Sequence, residues 1–162
     1  MSAEAKADHG NAEVRPCRSL DLPTISDILK ETPQAAAWTQ DGLRATLESY
    51  SAYCLTARQR KAIVGFIAGR RVADEAEILN LAVRSPARRL GVGRHLVEAL
   101  LNVFQREGVI RVFLEVRESN TEAVAFYQRL GFLQVGKRLD YYHEPDESAL
   151  VLALDVSHVT TG

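Results

Sequence analysis

Cysteine, tryptophan and methionine are all scarce in this 162-residue chain, at two, one and one. The two thiols, Cys17 and Cys54, form neither a metal-ligand nor a redox spacing, and so few in a chain of this size point to a reducing compartment. An excess of charge is missing too. With 20 basic and 21 acidic residues there is no bulk field to draw in nucleic acid, so attraction for an anion must be local. No apolar run approaches membrane-spanning length. Met1 to Glu13 is rich in Ala, Glu, Lys and Asp and has no apolar core, so it reads as a disordered tail rather than a signal peptide or anchor. What is present is ordinary for a globular protein: 46% hydrophobic and 25% charged residues, in a length that fits one domain needing no disulfide or metal. The expectation is a cytoplasmic enzyme or binding protein, with a tail over 1–13 and a single domain over 14–157.

Proline, glycine and capping residues punctuate the chain. A short strand near Val14 to Ser19 precedes Asp21-Leu22-Pro23, where an N-cap acid and an early proline open a helix through about Lys30, and Thr32-Pro33 ends it. A second helix runs from about Asp41 to Ser49, with Trp38 in the connection before it. Ala52 to Ala57 and Ala62 to Arg70 flank the polar turn Arg58 to Lys61 as a hairpin, and Glu75 to Val83 is a third strand. From about Gly91 to Glu107, Leu96, Val97, Leu100, Leu101 and Phe104 share one helical face, with Gly108 as the stop. Ile110 to Val116 is almost continuously apolar and is expected to be central and covered on both faces. Ser119 and Glu122 form a capping box for a helix ending at Gly131. Strands Phe132 to Leu139 and Ala149 to Leu154, joined by the polar loop Tyr142 to Ser148, complete a mixed α/β sandwich of order β-α-α-β-β-β-α-β-α-β-β.

Between the strand ending at Val83 and the helix starting near Gly91 lies Arg88-Arg89-Leu90-Gly91-Val92-Gly93-Arg94. Its glycines let the backbone turn tightly and approach a ligand. The first amides of the helix have no intrahelical partners and sit at the positive end of its dipole, and three arginines add charge, so the stretch suits a pyrophosphate. From its residues alone two readings stand equally: an anion cradle, or a glycine-capped loop with solvated arginines. A dinucleotide fingerprint fits poorly, without its third glycine or a βαβ start, and a P-loop is excluded by the absent Gly-Lys-Ser/Thr ending.

Four blocks in order, Glu77 to Val83, Arg88 to Arg94, Leu114 to Asn120 and Ala125 to Phe132, resemble the GNAT superfamily of N-acetyltransferases. Within it they resemble the RimI-like enzymes, which acetylate the N-terminal alanine of a ribosomal protein. The likeness runs from about Glu77 to Leu154 and includes Tyr141-Tyr142 and Glu147 to Leu152; before Glu77 only element order is shared. The resemblance implies the GNAT fold, a mixed, mostly antiparallel central sheet with helices on both faces. It implies acetyl-CoA as cosubstrate and no metal. The pantetheine arm would pair with backbone along Leu81, Ala82 and Val83, where that strand splays from Ile110 to Val116. The pyrophosphate would sit over the loop Arg88, Arg89, Leu90, Gly91, Val92, Gly93 and Arg94, and Asn120 would contact CoA. One departure stands out. The family's usual Asp-Pro turn is here Arg84-Ser85-Pro86, which sets a cation either near the phosphates or in water.

Acetyl transfer to an amine needs a neutral amine, a stabilised oxyanion and a proton for the departing thiolate. Glu115 matches the family's general base and alternates with Phe113 and Arg117 on one strand face. Apolar flanks would desolvate it and raise its pKa, while the bland alternative is a surface glutamate paired with Arg117. Tyr127 matches the general acid; the alternative is a core stripe of Ala123, Phe126, Tyr127 and Leu130. Full proton transfer from a phenol to a thiolate is uphill by roughly 2 kcal/mol when neither is perturbed, so Tyr127 is expected mainly to donate a hydrogen bond to the sulfur. The backbone amide of Val83 is the expected oxyanion donor. At neutral pH an α-amine is unprotonated on the order of 10² times more often than a lysine, which makes a protein N-terminus the easier acceptor.

The acceptor side carries fewer signals. RimI-like enzymes border the acceptor groove with a Pro-Trp-Ser-type segment, which here reads Ala36-Ala37-Trp38-Thr39, so Trp38 either lines that groove or plugs the core. Tyr141 and Tyr142, before an acidic loop with Glu144, Asp146 and Glu147, are candidates to bind a cationic terminus. His95 and His143 read as a structural and a loop residue. The expected partner is a protein or peptide N-terminus, a ribosomal protein among the candidates, with no nucleic acid or membrane partner and a monomer or weak dimer as the assembly. Two alternatives stay open: a GNAT enzyme acting on a small-molecule amine, and a non-catalytic CoA-binding interaction module.

Overall fold

The computed structural model describes residues 12–88 and 90–157, so Arg89 and most of the expected tail lie outside the described residues. Ala12 is buried and Glu13 opens the first strand, which starts the domain slightly earlier than expected. Seven strands, β1 (Glu13–Pro16), β2 (Ala52–Gln59), β3 (Ala62–Val72), β4 (Glu75–Val83), β5 (Arg111–Arg117), β6 (Leu133–Tyr142) and β7 (Glu147–Asp155), form one sheet in the order β1-β2-β3-β4-β5-β7-β6. Every neighbouring pair is antiparallel except β4 with β5. The helices are α1 (Leu22–Lys30), α2 (Gln40–Glu48), α3 (Val92–Arg106) and α4 (Thr121–Arg129). The mixed, mostly antiparallel sheet with helices on both faces is the expected fold. No helix among the described residues is long and apolar enough to cross a membrane.

Local chemistry explains most boundaries. The Thr39 hydroxyl accepts the Gly42 N–H at 3.0 Å and opens α2. Gly108 and Gly131, at φ +83° and +98°, take the left-handed conformation just past the ends of α3 and α4. The cap of α4 differs from the expected capping box. Asn120, not Ser119, is the N-cap, its Oδ1 accepting the Ala123 N–H at 3.2 Å. The Ser119 N–H goes instead to the carboxylate of Glu147 on β7, a partner far away in sequence.

Two cores sandwich the sheet. On one face Leu96, Leu100 and Phe104 of α3 pack with Val112, Leu114 and Val116 of β5 and with Tyr127 and Phe132. On the other, Leu22, Ile25, Ile28 and Leu43 of α1 and α2 cover Ile63, Phe66, Ala68 and Ala82. Because α1 and α2 lie over β2, β3 and β4, they leave β5 uncovered. The expectation that β5 is covered on both faces therefore fails: Phe113, Glu115 and Arg117 are only half-buried, and two of these three are charged.

The pairing of β3 with β4 contains one irregularity. Ala68 pairs with Asn80 but Gly69 pairs with Ile78, so Leu79 is an extra residue in β4. Such a bulge flips the side-chain alternation. Ala76 and Ile78 accordingly belong to the α3 core, and Ala82 to the α1–α2 core. Gly69 makes this possible, since a Cβ there would lie 2.7 Å from the Phe104 ring and 3.0 Å from the Glu77 carbonyl. At the other side of the sheet, the Cys17 N–H donates to the Cys54 carbonyl at 2.9 Å, which makes the two thiols cross-strand neighbours despite their separation in sequence.

Candidate active site

β4 and β5 pair only from Glu75–Arg111 to Ile78–Leu114. Past that point β4 continues along β3 to Gly65–Val83, while β5 continues along β7 to Arg117–Ala149. The strands part at the bulge and leave a cleft between Leu79–Val83 and Glu115–Arg117. Backbone groups in an antiparallel ladder alternate in direction. The Arg84 N–H donates to the Val64 carbonyl on β3 at 2.7 Å, so the amides of Leu81 and Val83 face the cleft. Ala82 is the exception among the three expected strand contacts: its backbone is turned to β3 and its side chain is buried under α1 and α2.

The N-terminus of α3 abuts the end of this cleft. Gly91 sits at φ +81° as the N-cap, no side chain caps the helix, and the His95 N–H makes the first helical bond to the Gly91 carbonyl. The amides of Val92, Gly93 and Arg94 are thereby left without helical partners. A Cβ on Gly93 would lie 3.5 Å from the Phe126 ring and 3.7 Å from the Val83 side chain, so the loop, the end of β4 and α4 meet here. The arginines are less available than expected. Arg88 donates from Nε to the Val83 carbonyl at 2.8 Å and from Nη2 to the Thr32 hydroxyl at 3.4 Å. Arg94 pairs with Glu98 at 2.8 Å. The cradle is therefore mainly backbone, with Leu90 exposed and the Val92 side chain in the core. Arg84, read as a phosphate contact or a solvated cation, has its Nε buried without a partner. Asn120 spends its Oδ1 on capping α4 and keeps Nδ2 as the donor it can offer.

On the face that α1 and α2 leave open, a cavity of about 330 Å³ is lined by Arg70, Glu75, Glu77, Phe113, Glu115, Arg138 and their neighbours. The Glu115 carboxylate is 2.8 Å from Arg138 Nε and accepts from the Tyr141 hydroxyl. A guanidinium and a phenol thus replace the apolar surroundings expected from its strand neighbours. Arg117, the expected partner, pairs with Glu147 at 3.4 Å and lies over the Tyr142 ring at 4.2 Å. The pairing of β6 with β7 breaks between Arg138 and Tyr142, where Asp140 takes φ +50°, and this segment brings Arg138 and Tyr141 to Glu115. The hydrogen bond to Glu115, and that group's charge, push the Tyr141 phenol up; burial does the same to Tyr142. Glu147 is held below the usual carboxylate range by its hydrogen bonds from Ser119.

Tyr127 lies across the sheet from Glu115, buried between Phe126 and Phe132 at ring separations of 5.0 and 5.5 Å. Burial pushes its phenol above the usual tyrosine range. Trp38 is half-buried and packs edge-on against Phe66 at 6.4 Å, at the margin of the α1–α2 core. Its loop is fastened by Asn80, whose Oδ1 accepts the Ala36 N–H at 3.2 Å and whose Nδ2 donates to the Ala36 carbonyl at 3.0 Å. No local pattern marks Asn80 or Arg138, and Glu147 reads only as one acid of a loop, because each acts on a partner in a distant segment.

Known proteins share this fold. The sequence profile of the acetyltransferase (GNAT) family matches residues 22–132. The [ribosomal protein bS18]-alanine N-acetyltransferase of Escherichia coli strain K12 is 35% identical over 140 residues, which cover 85% of this chain and 93% of that one. The crystal structure of the ribosomal-protein-S18-alanine N-acetyltransferase from Escherichia coli superposes with a TM-score of 0.81 at 29% identity, over 94% of this chain and 98% of that one. The PaiA N-acetyltransferase of Thermoplasma acidophilum, solved in complex with coenzyme A, shares the fold at a TM-score of 0.76 and 18% identity, over 90% and 99% of the two chains. The chain belongs to the acetyltransferase (GNAT) family and is an acyltransferase.

Proposed function

We propose that this enzyme acetylates the α-amine of a protein N-terminus, the N-terminal alanine of ribosomal protein bS18, with acetyl-CoA as donor. The observation that carries the reading is the parted β4–β5 seam with its two cleft-facing amides, in a chain 35% identical to an enzyme named for that acceptor. Acetyl-CoA supplies an activated acetyl group as a thioester. The backbone of Leu81 and Val83 would hold the pantetheine arm, and the Val83 N–H would donate to the acetyl carbonyl oxygen. The amides of Val92, Gly93 and Arg94 would hold the pyrophosphate, as helix N-termini do, and Asn120 would donate from Nδ2.

On the acceptor side, Glu115 would take the proton from the attacking amine. To do so it must exchange its contact with Arg138 for one with the amine, directly or through a water. The lining of the cavity favours a cationic entrant, since Glu75, Glu77 and Glu115 face two guanidiniums, Arg70 and Arg138. Tyr127 stays protonated because burial raises its pKa, which makes full proton transfer to the thiolate less favourable still. It would act by donating a hydrogen bond to the sulfur. Tyr141 and Tyr142 would flank the incoming peptide.

A thiol-release assay with acetyl-CoA against a bS18 peptide beginning with alanine, its N-blocked lysine-containing version and small amines tests this. Turnover of the free-terminus peptide alone is expected. Activity confined to small amines would refute the acceptor, and failure to bind acetyl-CoA would refute the donor.

A further inference from the structure

The connection between α1 and α2, residues 31–39, contains no helix or strand, yet one of its residues is held from below on both backbone groups. Asn80 takes the N–H and the carbonyl of Ala36 at once, as a neighbouring strand would. The residue is 5% exposed and pairs across the ladder with Ala68, a member of the apolar core under α1 and α2. A carboxamide buried there is costly unless both its ends are bonded, and an apolar residue would fill the same space without that cost. The other buried polar groups among the described residues, Asp21 and Thr56, bond to Arg18, Arg58 and Arg15 around β1 and β2. Of these three, Asn80 is the one whose side chain bonds to this loop. Its place in β4 is also specific. It follows the last β4–β5 pair and the extra residue Leu79, so the tie stands where the cleft opens.

We propose that Asn80 is a positioning residue for the acceptor: it fixes the Ala36 segment beside the cleft mouth and so sets acceptor affinity without touching the donor. The proposal deepens the assignment of a peptide acceptor and rests on it. The chain supplies its own reporter, because its one tryptophan, Trp38, lies on the same loop. In Asn80→Leu the KM for the alanine-first peptide is expected to rise about tenfold, the effect of losing two hydrogen bonds that hold the loop in its binding position. The KM for acetyl-CoA and the kcat at saturating peptide stay unchanged. Trp38 emission shifts to longer wavelength and acrylamide quenches it more readily. Ala36→Pro, which removes the loop-side donor and leaves the core intact, gives the same pattern and decides the matter alone if Asn80→Leu does not fold. Unchanged Trp38 emission, or a joint rise of both KM values, overturns the proposal. Wild-type protein that leaves the peptide unacetylated sinks the proposed function and the acceptor role with it. An active wild type with unaltered variants sinks the tether only.

Discussion

The two halves of β4 are held in opposite ways. From Glu75 to Ile78 the strand is paired on both edges, with β3 and β5; from Leu81 to Val83 it is paired with β3 alone. The first half spends its backbone on the sheet. The second keeps the Leu81 and Val83 amides, which need water or a ligand since such groups are expensive to leave dry, while the Val83 carbonyl takes Arg88. The switch between them is a single inserted residue, Leu79. A binding site can thus be made by withholding strand pairing, with few special side chains.

The largest effect should come from the carboxylate at the lip of the parted half. Glu115→Gln is expected to cut turnover by about 10² to 10⁴ in the thiol-release assay while the thermal midpoint holds. Glu77→Gln, a cavity residue of the paired half that pairs with Arg70 at 3.1 Å, should do far less. Equal losses would erase the distinction between the halves. Prolines then separate the two backbone directions. Val83→Pro removes a cleft-facing amide, with kcat falling by about 10² to 10³. Ala82→Pro removes a ladder bond and costs about 3 kcal/mol of stability or more, read by thermal melting. Variants that behave alike would mean that the amides do not alternate between β3 and the cleft.

Tyr127→Phe sharpens the role of the opposite face. Its kcat should drop about tenfold, the loss of one hydrogen bond in the transition state; unchanged turnover would return Tyr127 to the core. Smallest of all is Gly91→Ala. A Cβ there meets nothing within 4 Å, so only the left-handed backbone at φ +81° is strained, by about 1 kcal/mol. Calorimetry should show acetyl-CoA binding weakened by less than tenfold.

What could be read from the sequence was local. Pro23 announces a helix start, and Gly108 and Gly131 announce helix ends, through backbone geometry that depends on one or two residues; α1 begins and α3 and α4 stop where those residues place them. The ordered blocks around Gly91, Glu115 and Tyr127 announced the family. The register of a bulge is invisible in this way, since Leu79 is an ordinary strand residue whose insertion exists only relative to β3. Partner choice is equally hidden. Glu115 meets Arg138 rather than Arg117 because β6 loses register beside it, and Ser119 lost the capping role to Asn120 because Glu147 arrives from β7. The contact of Trp38 with Phe66 and the tie of its loop to Asn80 are equally absent from the local pattern, because both partners lie in distant strands.

Residue-resolved amide hydrogen exchange reports most directly on the withheld pairing in β4. In the free protein, Leu81 and Val83 should exchange faster than Ala82, whose amide is spent on β3. Addition of acetyl-CoA should slow Leu81 and Val83 and leave Ala82 as it was. Equal protection of all three without ligand, or no change at Leu81 and Val83 when acetyl-CoA binds, would contradict a site built on unpaired strand.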